Sequence, residues 1–163
     1  MKKIILILFV GLYSTCFNLK AQEISQLDSL INISLLNYMN NLKGLCNKGA
    51  LSEDYLKNIY ISVDNYPRNF SFCKKLQDME LKYISLTNIS NQKLFKKKKG
   101  YNVIFLEMKL TDNCLKIIYS DRNVSTHQKN NIKIGLSNWG NFVYKYSCER
   151  QKWLLMGAEY GGV

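Results

Sequence analysis

Lys93 and Lys96 to Lys99 place five positive charges in seven residues just before Gly100 and Tyr101. A site that neutralises several phosphates or carboxylates at once needs such a cluster, because each contact releases counterions and gives an affinity that falls with salt. Lys96, Lys97, Lys98 and Lys99 are therefore one candidate ligand site, with a solvated loop between two strands as the plainer reading. The other candidate is aromatic: Trp139, Phe142, Tyr144, Tyr146, Trp153 and Tyr160 crowd the C-terminal quarter. Phe142, Tyr144 and Tyr146 alternate, so on a strand they share one face and can line a concave surface. Each Tyr hydroxyl needs a partner when buried, which favours a half-open row over a sealed one. Tyr144, Tyr146 and Trp139 are the residues expected to touch a ligand there.

Catalysis has less to work with. His127 is the sole histidine, and it lies in a polar stretch, 124–129, that reads as a loop. Pairing it with Cys114 or Cys148 as base and nucleophile would need contacts of about 3 Å, and no nucleophile elbow surrounds it. No Gly-rich phosphate loop, no C-x-x-C pair and no Cys or His at ligand spacing from His127 is present, so no catalytic residue, metal or cofactor is assigned. A small hydrolase or isomerase remains the rival reading, with Asp121, Arg122 and His127 as its polar group.

The first residues say where the chain goes. Met1-Lys2-Lys3 is a positive start, Ile4 to Tyr13 is a ten-residue apolar run, and Ala21 precedes Gln22 as a small residue at a cleavage position. That is the pattern of a secretory signal over residues 1–21, leaving 22–163 as one domain, because ten apolar residues fall short of the roughly 20 that span a bilayer. Lipid attachment at Cys16 is the alternative, although Tyr13 and Thr15 stand where a lipobox wants Leu and a small residue. Losing Lys2, Lys3 and Lys20 takes the formal charge from +11 to +8. The domain itself is basic, and an exported basic domain points to an acidic protein, an anionic lipid head group or a glycan as partner, with no nucleic acid expected. Four cysteines stay in the domain, Cys46, Cys73, Cys114 and Cys148. In an oxidising compartment they allow three disulfide connectivities. Cys46 with Cys73 and Cys114 with Cys148 would close loops of about 30 residues, while four small buried thiols are the other reading.

These residues need elements to position them. Ile24, Leu27, Ile31, Leu35, Tyr38, Leu42 and Leu45 recur every three or four residues, the period of an amphipathic helix that Gly44 and Gly49 should end. Ser52-Glu53-Asp54 offers an N-cap and first-turn acids for a short second helix. Past residue 58 the period becomes two: Ile59, Ile61 and Val63 alternate toward the turn residues Asp64 to Pro67. Strands are expected from Leu81 to Leu86, Tyr101 to Leu110, Leu115 to Ser120, Ile132 to Leu136, Phe142 to Cys148 and Trp153 to Tyr160, joined by hairpin-length turns. The first half of the Tyr101 strand is apolar on both faces, as a central strand would be. Helices followed by a meander give an α+β fold with N-terminal helices packed on a curved antiparallel sheet. A nuclear-transport-factor-2-like cone fits this order, and so does a cystatin-like sheet wrapped around one helix.

From Asn138-Trp139-Gly140-Asn141-Phe142 through Tyr146 and Cys148, then Lys152-Trp153 and Tyr160-Gly161-Gly162, the chain resembles the end of a group of uncharacterised exported bacterial proteins. That resemblance covers roughly 60–163, where Asp64, Pro67 and Ser85-Leu86 also fit. It implies export and a shared domain, and carries no activity. The leading expectation is a non-enzymatic exported binding domain that uses its aromatic sheet face or its basic loop.

Overall fold

The computed structural model describes residues 26–88, 101–127 and 131–162. The expected signal at 1–21, Cys16, and the lysines Lys93 and Lys96 to Lys99 lie outside the described residues. The first helix, α1, runs over 26–47, about 33 Å long at about 1.5 Å per residue. Its buried stripe of Ile31, Leu35, Tyr38 and Leu42 follows the spacing read from the sequence, while Ile33, off the stripe, is 48% exposed. Gly44 does not end the helix. The chain passes through it and stops where Gly49 adopts a φ of 73°. The Gly49 amide then donates to Cys46 O at 2.9 Å and the Ala50 amide to Leu45 O at 3.0 Å, satisfying carbonyls that a helix end otherwise leaves bare. Two short helices follow, α2 (Glu53–Lys57) and α3 (Lys74–Gln77). Ser52 stands at the N-cap of α2, but its side chain makes no capping bond.

Six strands, β1 (Ile59–Ser62), β2 (Lys82–Ile84), β3 (Tyr101–Thr111), β4 (Cys114–His127), β5 (Asn131–Ser147) and β6 (Lys152–Gly162), form one sheet in the order β2-β1-β3-β4-β5-β6. β3 to β6 are the expected antiparallel meander. β1 departs from it: Ile61 pairs in parallel with Tyr83 on one side and Ile104 on the other, so the sheet is mixed rather than wholly antiparallel. Two expected breaks are also filled. β4 continues to His127, and β5 runs as one strand where two were expected. The β3–β4 turn places Asp112 and Asn113 at φ 48° and 61°, a two-residue turn whose twist matches the flanking strands.

α1 lies on one face of this sheet. Ile104 and Leu106 of β3, Leu115, Ile117 and Tyr119 of β4, and Phe142 and Tyr144 of β5 form with it one buried cluster. Two polar contacts cross the seam: the Tyr119 hydroxyl donates to Ile31 O at 2.9 Å, and Ser34 Oγ and the Tyr144 hydroxyl lie 2.8 Å apart. A smaller cluster of Ile84, Val103 and Val124 fills the opposite face, which explains why the first half of β3 is apolar on both sides. The class is therefore α+β, with a long helix on the N-terminal side and a mixed six-stranded sheet.

Candidate functional site

The meander brings three chain segments together at one end of the sheet. The first turn of α1 contributes Gln26 and Leu27, the β3–β4 hairpin contributes Met108, Leu110, Asn113 and Leu115, and the β5–β6 hairpin contributes Tyr146, Cys148, Gln151 and Trp153. Between them lies a groove of about 840 Å³. The register explains why these side chains meet: Leu110 is opposite Leu115, Leu115 opposite Tyr144, and Tyr146 opposite Trp153. Tyr146 and Trp153 meet edge to face at 5.4 Å and 65°, the geometry that the ring quadrupoles favour. Gln26 Nε2 donates to Gln151 O at 3.4 Å, which ties the helix start to the β5–β6 turn. Leu110 is 68% exposed, so the wall includes apolar surface that meets solvent directly. None of the ten lining side chains is charged, although the chain as a whole carries +11. A second cavity, of about 370 Å³, is flanked by Lys57, Glu80 and Lys82, whose charges set it apart from the uncharged groove.

The aromatic residues singled out in the sequence are divided by this geometry. Tyr146 lines the groove. Tyr144 shares its face but sits behind the wall in the core, 3% exposed, with its hydroxyl against Ser34; burial pushes its phenol above the ordinary range. Trp139, one residue out of phase, points to the opposite face, where its ring lies flat on Gly161 so closely that a Cβ there would be 2.5 Å away. Trp139 therefore does not join Tyr144 and Tyr146. Trp153 belongs to the aromatic candidate set without being singled out as a contact; Leu27, Met108 and Leu110 were not expected in the site, and the signal that points to them is Leu110 and Leu115 flanking a tight hairpin.

No disulfide joins Cys46, Cys73, Cys114 and Cys148, which corrects the pairing considered above. Distance along the elements accounts for it. The Cys73 amide donates to Asn32 Oδ1 at 2.7 Å, and Cys46 is fourteen residues further along α1, about 21 Å away along the axis. Cys114 pairs with Lys145, and Cys148 is three residues beyond it, about 10 Å along the strand against the roughly 4.4–6.8 Å that a disulfide allows. Cys46 Sγ instead faces Ser52 O at 3.5 Å.

The polar residues of the rival reading also separate. Asp121 is fully buried at the far end of α1. One of its oxygens accepts the Asn138 amide at 3.1 Å, and the other accepts Asn138 Nδ2 at 3.1 Å and the Tyr55 hydroxyl. Burial first, then the neighbouring Asp121, pushes the phenols of Tyr38 and Tyr55 well above their ordinary range. Ordinary alternation along β4 puts Arg122 on the other face, where its guanidinium lies 5.0 Å from the Phe105 ring centre. His127 closes β4 opposite Asn131, and only its backbone is described. Asp121 is thus a clasp that fastens α2 and β5 to β4, remote from the groove. Among the described residues no three His, Cys, Asp or Glu side chains gather as a metal site would require. In comparisons with protein-family models, curated proteins and solved structures, nothing matches the chain, and no role comes to it from a relative.

Proposed function

We propose that this chain is an exported, non-catalytic binding domain that holds an uncharged, largely apolar small molecule in the groove between the start of α1 and the two hairpins. The observation that carries the reading is the composition of the wall: Leu27, Met108, Leu110, Leu115, Tyr146 and Trp153, with only the uncharged Gln26, Asn113, Cys148 and Gln151 beside them. A volume of about 840 Å³ lies in the range of roughly 300–1,000 Å³ typical of small-molecule sites, which are mostly apolar with a few orienting polar groups. A charged ligand would find no counter-ion among these residues, whereas each apolar Å² it buries contributes roughly 25 cal/mol. The hydrolase or isomerase alternative is less well supported, because the Asp121 oxygens already accept three donors within a packed core. A cone of the cystatin-like or nuclear-transport-factor-2-like kind is part of the same proposal, supported by one long helix laid across the β3 to β6 meander.

The test uses Trp153 as reporter. With Trp139→Phe, Trp153 is the only tryptophan of the chain. Titration with the neutral probe N-phenylnaphthylamine should give saturable binding that perturbs Trp153 emission, is insensitive to salt, and is lost in Leu110→Asp, a change at an exposed position. Binding that survives Leu110→Asp, or that collapses with salt, refutes the groove.

A further inference from the structure

β6 ends the sheet, and among the described residues nothing pairs with its outer edge. Exposed edges of this kind are usually blunted by shortness, by Pro, by repeated charges or by a bulge. The opposite edge, β2, follows that rule with three residues and an exposed Lys82. β6 has only a bulge: it is 11 residues long, lacks Pro, and carries only Lys152 and Glu159 as charges. Between them Leu155 is 49% and Met156 62% exposed.

We propose that β6 is a self-association edge, pairing antiparallel with β6 of a second copy about a two-fold axis perpendicular to the sheet. The charges select both the partner and the register. With the axis between Leu155 and Met156, Lys152 of each copy lies opposite Glu159 of the other, and both ion pairs form by symmetry. Seven positions apart on a regular strand, Lys152 and Glu159 would point to opposite faces. The bulge removes that obstacle. Val143 pairs with Gly157 and Tyr144 with Leu155, so Met156 is an extra residue in β6. Lys152 lies opposite Ser147 and Glu159 opposite Asn141, both odd-numbered positions of β5, and so the two charges share one face. The same register sets Trp153 opposite Ala158 of the second copy on the α1 side and Leu154 opposite Gly157 on the other, so each opposed pair again shares a face. The bulge that would otherwise spoil an edge strand is what makes this one self-complementary.

The experiment measures the mass of the full exported chain by light scattering or sedimentation over a concentration series, with thermal melts as a folding control. The wild type should dimerise. Lys152→Glu or Glu159→Lys turns both cross-strand pairs from opposite to like charge and should weaken the dimer about 10-fold, and both residues are exposed, so melts should not move. The double variant Lys152→Glu with Glu159→Lys should regain wild-type affinity within about 3-fold. Met156→Lys, at the axis, should weaken it and not be rescued by the swap. A chain that stays monomeric at every concentration, or a dimer indifferent to the single reversals, or single and double reversals that behave alike, would each overturn the proposal.

Discussion

Gly140 sits in the middle of β5, directly beneath the ring of Tyr38, and replacing it by Ala should destabilise the protein. Glycine within a strand ordinarily costs stability, so Gly→Ala at a compatible backbone position is expected to stabilise by roughly 0.4–1 kcal/mol. Here the sign reverses. A Cβ at Gly140 would stand 2.7 Å from Tyr38 Cδ2 and 3.3 Å from both Tyr38 Cε2 and Tyr160 Cδ1. Tyr38 cannot swing away, because it is fully buried and stacked on Tyr119 at 5.8 Å with an 18° interplanar angle. Forcing one extra methyl into such a core costs about 1–3 kcal/mol, and at about 3 °C per kcal/mol for a domain of this size the midpoint should fall by about 3–9 °C. Gly157, on the same sheet with nothing within 4 Å of its virtual Cβ, is the internal control: Gly157→Ala should be neutral or mildly stabilising. Thermal melts of the two variants, with Gly140→Ala repeated in a Tyr38→Leu background, separate crowding from backbone effects. Equal behaviour of Gly140→Ala and Gly157→Ala, or no relief from Tyr38→Leu, refutes the packing argument.

Three further outcomes follow from the same geometry. Gly49→Ala should cost about 1 kcal/mol with no steric contribution, since its φ of 73° is disfavoured for a residue with a Cβ while the surrounding space is open; an unchanged denaturation midpoint would contradict the helix-end reading. Asn32→Ala should loosen the segment before α3 by about 1–3 kcal/mol, because Asn32 donates to Ser71 O at 3.0 Å and accepts from the Cys73 amide at 2.7 Å; faster hydrogen exchange confined to 71–77 is the expected signature, and uniform acceleration would count against it. Burial raises the phenols of Tyr38, Tyr55, Tyr66, Tyr119 and Tyr144 above the ordinary 10.0, so the stability their neutral forms contribute is complete below about pH 10 and drains as pH rises beyond it. Phenolate absorbance should therefore climb together with the loss of tertiary structure, and full titration of a still-folded chain would refute the burial of these rings.

Much of this architecture is legible in the residues. The three-and-four spacing from Ile31 to Leu42 is the buried stripe of α1, and the doubly apolar start of β3 marks a strand covered on both faces. What the local pattern hides is long-range compensation. Ser137-Asn138-Trp139-Gly140-Asn141 has turn composition, yet it is continuous strand, because Asn138 is held by Asp121, Gly140 makes room for Tyr38, and Trp139 lies across Gly161. Each of those reasons lies on another element. The parallel placement of β1 is hidden for a similar cause, since its alternation looks the same whichever way its neighbours run. Of the candidate site, the alternation of Tyr144 and Tyr146 correctly put both on one face. It could not tell wall from core, a distinction that depends on where α1 begins.

The position of β1 between β2 and β3 has a kinetic consequence. Ile59 to Ile61 come early in the chain but pair with Asn102 to Ile104, and the stripe of α1 rests on β4 and β5, later still. A chain emerging from its N-terminus can form α1 and set it against Ile59, Ile61 and Leu76, but most of its stripe stays uncovered until β4 and β5 exist. β3 to β6, by contrast, meet their neighbours through short turns with little loop-closure entropy. The meander is therefore the part of the sheet that closes at the least entropic cost, while β1 and the stripe of α1 gain their full set of partners only when strands far along the sequence are in place.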